Sequence, residues 1–300
     1  MLGLRFTVAC YRLLGPLLSL PLIHAVVAYF FLTDSKGRAA SRDYLGRIHA
    51  RPAEGGPPTW RPGTWESFLH YREFALSIAD RVALWGGRER RFRFVFHGRE
   101  HFEKLAQEGN GAILLGAHLG SFDALRVLSV QDGVTVNVLM YTKHAPKINE
   151  LMRRLSPAAS LRVIHADPDP TRTAFEIRAR IARGEWVAIL ADRVEPGDRG
   201  RTSTVEFLGA RATLPEAPFL LPVILACPAI LILALRSGSY RYDVYAEPLA
   251  EGGERIPVAN RAARAHEIAC AYSQRLERYC VLAHRQWFNF FDFWEGGGAA

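Results

Sequence analysis

The chain has 300 residues, 49% of them hydrophobic, enough to bury a substantial core in one large domain. A formal net charge of +8 points to anionic partners, either an anionic membrane surface or an acidic carrier protein; with no RNA-binding or helix-turn-helix signature, nucleic acid is set aside. The four cysteines, Cys10, Cys227, Cys270 and Cys280, lie far apart with no C-x-x-C, and read as reduced side chains in a reducing compartment.

The first element is an apolar segment. Leu13 to Thr33 carries no formal charge, long enough for a membrane-spanning candidate. Both flanks are basic, however, with Arg5 and Arg12 before it and Lys36, Arg38 and Arg42 after it. Symmetric cationic flanks suit a segment lying in or dipping into the cytoplasmic leaflet better than a span, and a buried core helix is the third option. A helix is expected over 36–50, then a loop over 51–63 punctuated by Pro52, Pro57, Pro58 and Pro62. Trp65 to Trp85 has helical periodicity with Phe68, Tyr71, Leu76 and Leu84 inward. Phe92 to Phe96 alternates as a strand, and His101 to Glu108 forms a short helix ended by Gly109-Asn110-Gly111. Strands are then expected near 112–117, 134–141, 161–166, 186–191 and 229–235, with helices near 122–130, 145–155, 171–183 and 215–226. Tyr240 to Tyr245 alternates as an antiparallel edge strand, 257–283 forms a long amphipathic helix, and the Gly/Ala-rich end is disordered. Alternation of this kind predicts an α/β fold with a mostly parallel central sheet flanked by helices. The expected divisions are a membrane-associating segment over 1–35, one domain over 36–295 and a tail over 296–300.

Chemistry concentrates at Gly116-Ala117-His118-Leu119-Gly120-Ser121-Phe122-Asp123, between the strand-like Ala112-Ile113-Leu114-Leu115 and a predicted helix. On one continuous helix His118 and Asp123 would lie about 140° apart around the axis. With His118 on the turn and Asp123 in the first helical turn, the two meet. Gly120 permits the tight backbone, and Ser121 is an N-cap candidate. A carboxylate on one imidazole nitrogen fixes the tautomer and leaves the other nitrogen as a base. Taken alone, the same residues also fit a buried histidine satisfied by a carboxylate at a helix start.

His118-x4-Asp123 resembles the HX4D/E signature of the glycerolipid acyltransferase superfamily, and the flanking pattern resembles its lipid A biosynthesis late acyltransferase branch. Similar segments are Asp192-Arg193 after the strand-like Trp186 to Ala191, Val205-Glu206-Phe207-Leu208-Gly209, Pro228 before Ala229 to Leu233, and His284-Arg285-Gln286-Trp287-Phe288. The resemblance implies a glycerolipid-acyltransferase-like fold and O-acyl transfer from acyl carrier protein or acyl-CoA to a membrane lipid acceptor at the cytoplasmic face of a bacterial inner membrane. The thioester is a co-substrate, and no cofactor is expected. His118 takes the acceptor's proton as general base and Asp123 orients its ring. A non-catalytic membrane-tethered module and a thioesterase or lipid hydrolase are the competing readings. The chain departs from the lipid A pattern in having aspartate rather than the commoner glutamate at 123, and in its W-F-N-F-F-D-F-W ending, so the acceptor stays open.

Gly120, Ser121, Asp192, Arg193 and Gly209 are assigned to substrate binding. Arg193 would hold an acceptor phosphate, a carrier phosphopantetheine or the thioester oxyanion, against the alternative of a solvated charged loop running through Arg199 and Arg201. Gly209 allows close backbone approach to the acyl chain, or is a turn glycine. Lys143, His144 and Lys147 read as a solvated turn. His165 to Asp169 lacks a partner with metal-ligand spacing, so no metal is expected. The aromatic ending packs over the sheet or contacts the membrane interface, with packing preferred.

Overall fold

Residues 21–51, 58–85, 88–122, 133–140, 162–167, 169–194 and 200–294 are described by a computed structural model. Residues 21–33 are helical, and Ile23, Val27 and Phe31, each four apart, form a buried stripe against Tyr71. Tyr29, Phe30 and Leu32 on the same helix are exposed. No helix among the described residues is long and apolar enough to cross a membrane, and residues 1–20 lie outside them. The Asp34 side chain accepts from the Gly37 N–H at 2.9 Å and so caps helix α1 (Ser35–His49). Helix α1 buries Gly37, Ser41, Tyr44, Leu45 and Ile48 on one face. Helix α2 (Thr64–Trp85) runs back along it: the Tyr71 hydroxyl donates to Asp34 at 2.9 Å and the Ser67 hydroxyl to Ser41 at 2.9 Å. Of the residues expected inward on α2, Tyr71, Leu76 and Leu84 are buried and Phe68 is half-buried.

The strands among the described residues are β1 (Arg93–His97), β2 (Ala112–Gly116), β3 (Val136–Met140), β4 (Arg162–His165), β5 (Trp186–Leu190), β6 (Thr202–Phe207), β7 (Ala210–Pro215), β8 (Ala229–Gly238) and β9 (Arg241–Ala250). Seven of them form one sheet in the order β1, β9, β8, β2, β5, β3, β4. Every neighbouring pair in it is parallel except β8 with β9. This is the mixed α/β architecture with a mostly parallel sheet that the alternation predicts. Every residue of β2 is buried, as a central parallel strand covered on both faces requires. Successive side chains go to opposite cores. Ile113, Leu115, Val187, Ile189, Leu231 and Leu233 share one, while Leu114, Trp186, Ala188, Ile230 and Ile232 share the other.

Among the described residues four further α-helices cover the sheet. Helix α3 (Arg99–Glu108) adds Phe102 and Leu105 to the second core. Helix α4 (Pro170–Ile181) begins with proline after an Asp169 cap and buries Ile177. Helices α5 (Ala217–Leu225) and α6 (Arg261–Leu282) lie over the first core, where α6 contributes Ala265, Ile268, Tyr272 and Leu276. The helices expected near 122–130 and 145–155 fall outside the described residues.

Two expectations need revision. The alternating segment from Tyr240 is not an edge. It belongs to the longer β9, antiparallel to β8 as expected but flanked by the parallel β1 on its other side. The N-terminal strand is recruited there by ring packing: Phe92 and Phe94 sit against Tyr242, with centroids 6.1 and 6.0 Å apart. The second revision is the β6–β7 hairpin, which the sequence reading does not anticipate. Its alternation buries Ser203, Val205 and Phe207 on one strand and Ala212 and Leu214 on the other, closed by Leu208-Gly209, both at positive φ.

Candidate active site

Strands β2 and β5 are parallel neighbours, with Gly116 opposite Leu190. The Ala191 N–H continues the ladder by donating to the Gly116 carbonyl at 3.0 Å, so the two chains leave the sheet side by side. One carries His118 and the other Asp192. Ligand sites in open α/β sheets form at such carboxyl ends. A third segment, 286–294, crosses the same place. Its Trp287 bridges Leu119 in antiparallel fashion, the Phe288 N–H donates to the His118 carbonyl at 2.8 Å, and the Gly120 N–H donates to the Gln286 carbonyl at 2.9 Å. Gln286 fixes this strap to β8, accepting from the Arg236 N–H and donating to the Arg236 carbonyl, each at 2.8 Å.

Asp192 is fully buried and accepts three hydrogen bonds. The His118 ring donates from Nδ1 to Oδ1 at 2.8 Å, the His118 backbone N–H donates to Oδ2 at 3.0 Å, and Trp287 Nε1 donates to Oδ2 at 2.9 Å. Burial by itself would raise the pKa of this carboxyl. The adjacent His118 and its side-chain and backbone hydrogen bonds, with the charge of Arg193, outweigh burial and hold the pKa below the ordinary carboxylate range. On the far side of the ring, Arg193 Nη2 donates to His118 Nε2 at 2.6 Å. Arginine is always a donor, so Nε2 accepts. The partners therefore select the neutral tautomer with its proton on Nδ1. The result is a carboxylate, an imidazole and a guanidinium in sequence, with the basic nitrogen on the Arg193 side. Arg193 is held in turn by Asn289 Oδ1, 3.4 Å from Nη1, and lies over the Phe291 ring at 5.8 Å.

The sequence-assigned residues fall into distinct places. His118, Asp192 and Arg193 come together. Asp123, the expected orienting carboxylate, lies outside the described residues, as do Lys143, His144, Lys147 and Arg199. The described carboxylate on Nδ1 is Asp192, which the sequence reading places among the substrate-binding residues. Gly120 has φ +73°, and a Cβ there would stand 2.1 Å from the Ala234 carbonyl oxygen. Ser121 is buried and its N–H is committed to the Ala234 carbonyl at 2.8 Å. Gly209 closes the β6–β7 turn beside Arg51. That hairpin reaches the site through Phe207, whose ring packs on Trp287 at 5.2 Å. Arg201 is exposed. The aromatic ending packs inward at Trp287 and Phe293 and leaves Phe291 exposed. Among the described residues no three His, Cys, Asp or Glu side chains gather as a metal site would need.

A sequence profile of the bacterial lipid A biosynthesis acyltransferases matches residues 65–294. The chain belongs to that family. The match starts in α2 and ends at Trp294, so it contains the sheet, the His118 turn, Asp192 and the strap. No curated protein matches the chain. Membership makes the protein an acyltransferase with a lipid acceptor.

The acyltransferase also depends on residues that sequence reasoning leaves unassigned. His70 on α2 is fully buried. Its Nδ1 lies 3.0 Å from the Ser41 hydroxyl and its Nε2 2.9 Å from the Trp287 carbonyl, so a neutral ring bridges α1 to the strap. Burial lowers its pKa to about 3, against which the bond to the Trp287 carbonyl is a smaller, raising effect. The unfolded chain, with an ordinary histidine near 6.5, binds the extra proton first, so folding stability from this residue falls as pH drops below about 6. Wild type is expected to lose roughly 1 kcal/mol more than His70→Gln between pH 6 and pH 5. Urea melts of both proteins at the two pH values measure the difference; parallel losses would contradict a neutral His70.

Proposed function

We propose that this acyltransferase moves a fatty acyl group from acyl carrier protein, or from acyl-CoA, to a hydroxyl of a lipid A precursor or a related lipid-linked acceptor. The observation that carries the reading is the buried Asp192 on His118 Nδ1, which leaves Nε2 as the only basic nitrogen of the ring. The acceptor hydroxyl gives its proton to Nε2 as its oxygen attacks the thioester carbonyl carbon. The tetrahedral intermediate then collapses, the C–S bond breaks, and the leaving thiolate takes the proton back from the imidazolium. No enzyme nucleophile is needed. Arg193 supplies positive charge beside the carbonyl oxygen where negative charge develops. Its N–H on Nε2 occupies the place of the acceptor O–H, so the guanidinium shifts by about one hydrogen-bond length when the acceptor enters. We assign the positioning role to Asp192, and for Asp123 the support is the HX4D spacing with His118.

The carrier protein is the favoured donor, because a basic enzyme suits an acidic partner. Membrane association at the cytoplasmic face is supported by the charge-free Leu13–Thr33 segment, by exposed Tyr29, Phe30, Leu32 and Trp65, and by the cationic Lys36, Arg38 and Arg42 that follow. Incubation with labelled acyl carrier protein and total membrane lipid tests the reading, with mass spectrometry of the product naming the acceptor. His118→Ala is expected to lower transfer a hundredfold or more, with a lower melting temperature because the buried Asp192 loses its ring partner. Transfer at the wild-type rate would remove His118 from the mechanism, and release of free fatty acid alone would mark a hydrolase.

A further inference from the structure

Asn289 is buried, with only 1% of its surface exposed, and its side-chain nitrogen Nδ2 has no hydrogen-bond partner among the described residues. Buried polar groups are almost always paired, so an orphaned amide calls for an explanation. The orientation of this amide is fixed by its neighbour. Arg193 Nη1 approaches the other end of the group at 3.4 Å, and only an oxygen can accept from a guanidinium. Turning the amide over would set two donors against each other. Nδ2 is therefore a donor with no acceptor among the described residues. It is also close to the chemistry. The guanidinium that Asn289 holds is the one whose Nη2 reaches His118 Nε2 at 2.6 Å. The backbone on which Asn289 sits is rigid, since Phe288 beside it is bonded to the His118 carbonyl and the Asn289 N–H donates to the Trp287 carbonyl at 2.9 Å.

We propose that Asn289 is a catalytic residue that, together with Arg193, donates a hydrogen bond to the thioester carbonyl oxygen as that oxygen becomes negative. The inference rests on the general-base reading of His118 given above. When the acceptor oxygen bonds to the carbonyl carbon, the π pair moves onto the carbonyl oxygen, and the hydroxyl proton goes to Nε2. The oxyanion then accepts from Asn289 Nδ2–H and from the guanidinium. On collapse the pair returns to carbon and the thiolate departs. An amide preorganised in a dry site stabilises that charge without reorganising, because its dipole is already in place before the reaction begins. The missing ground-state partner is thus supplied by the transition state. A neutral amide also leaves the net charge of the site unchanged beside Asp192 and Arg193.

Two substitutions separate this role from scaffolding. Asn289→Leu keeps the approximate volume and removes both polar ends. Asn289→Asp keeps an oxygen for Arg193 and removes the donor. Both are expected to lower kcat with acyl carrier protein thioester by roughly 10²- to 10³-fold, the size of losing one oxyanion donor, with KM for the thioester changed by less than about threefold. The melting temperature of Asn289→Leu should hold or rise, because an orphaned donor has been removed from the interior. The acidic limb of the pH–rate profile, where the base becomes protonated, should stay in place in Asn289→Leu, because His118 keeps Asp192. A kcat within about threefold of wild type in either variant overturns the proposal, as does a fall in melting temperature in both variants or a displaced pH profile in Asn289→Leu. His118→Ala in the same assay keeps the two readings apart. Activity there refutes the base, whereas an inactive His118→Ala beside a fully active Asn289→Asp refutes only Asn289.

Discussion

Asp192→Asn is expected to lower turnover by as much as ~10⁴-fold, the scale on which replacing the orienting aspartate of a catalytic triad acts. The reason lies in counting donors. Asp192 accepts from His118 Nδ1, the His118 backbone and Trp287 Nε1, using both oxygens. An asparagine has one oxygen. If it serves the backbone and indole donors that share Oδ2, its NH2 faces Nδ1. The imidazole must then accept there and carry its proton on Nε2. That N–H would confront the Arg193 donor 2.6 Å away, and the base is lost. If the amide turns over, two donors meet its NH2 at Oδ2. Either arrangement leaves buried donors unpaired and destabilises the fold by roughly 1–3 kcal/mol. Steady-state transfer and thermal melts on the purified variant test both parts. Turnover within tenfold of wild type would show that Asp192 does not hold the working tautomer. The same assay on Asp123→Asn compares the two carboxylates directly.

Gly120→Ala should eliminate the site by a different route. Gly120 adopts φ +73°, a conformation L-residues adopt at roughly 1–2 kcal/mol each. The larger penalty is steric. The added carbon would lie 2.1 Å from the Ala234 carbonyl oxygen and 2.9 Å from its carbon, both backbone atoms of β8. Relief requires the turn to move off β8, breaking the Ser121-to-Ala234 bond and pulling His118 from Asp192. A loss of more than a hundredfold in transfer and a lower melting temperature are the expected results, and an active enzyme of normal stability would contradict the geometry.

The sheet was legible because its central strands are short apolar runs bounded by turns: Ala112 to Leu115, Trp186 to Leu190 and Ala229 to Leu233 each declare themselves. The β6–β7 hairpin was less so, since Leu208-Gly209 is a weaker turn signal than Asn-Gly and its alternation is diluted by Thr and Ser. The flanks of β9 could not be read locally, because β1 comes from a distant segment. At the site, His118 stood out by its strand–turn setting and Asp192-Arg193 by following a strand. What joins them did not. Nothing within a few residues of His118 says that a carboxylate 74 positions later takes its Nδ1. His70, Trp287 and Asn289 act through the strap, and a strap is defined by tertiary contacts. The Gln-Trp pair marked its location but not its partners.

The strap also bears on the order in which this protein becomes an enzyme. His118, Asp192 and Trp287 belong to three distant stretches of chain, and His70 reaches Trp287 across 217 positions. Closing loops of that length is entropically slow, and contacts of high sequence separation form late. No short fragment can assemble the base with its carboxylate and its indole. Partly folded chains therefore hold His118 without its carboxylate, its guanidinium or a fixed tautomer. The oriented base thus exists only in chains whose strap has docked beside the ends of β2 and β5.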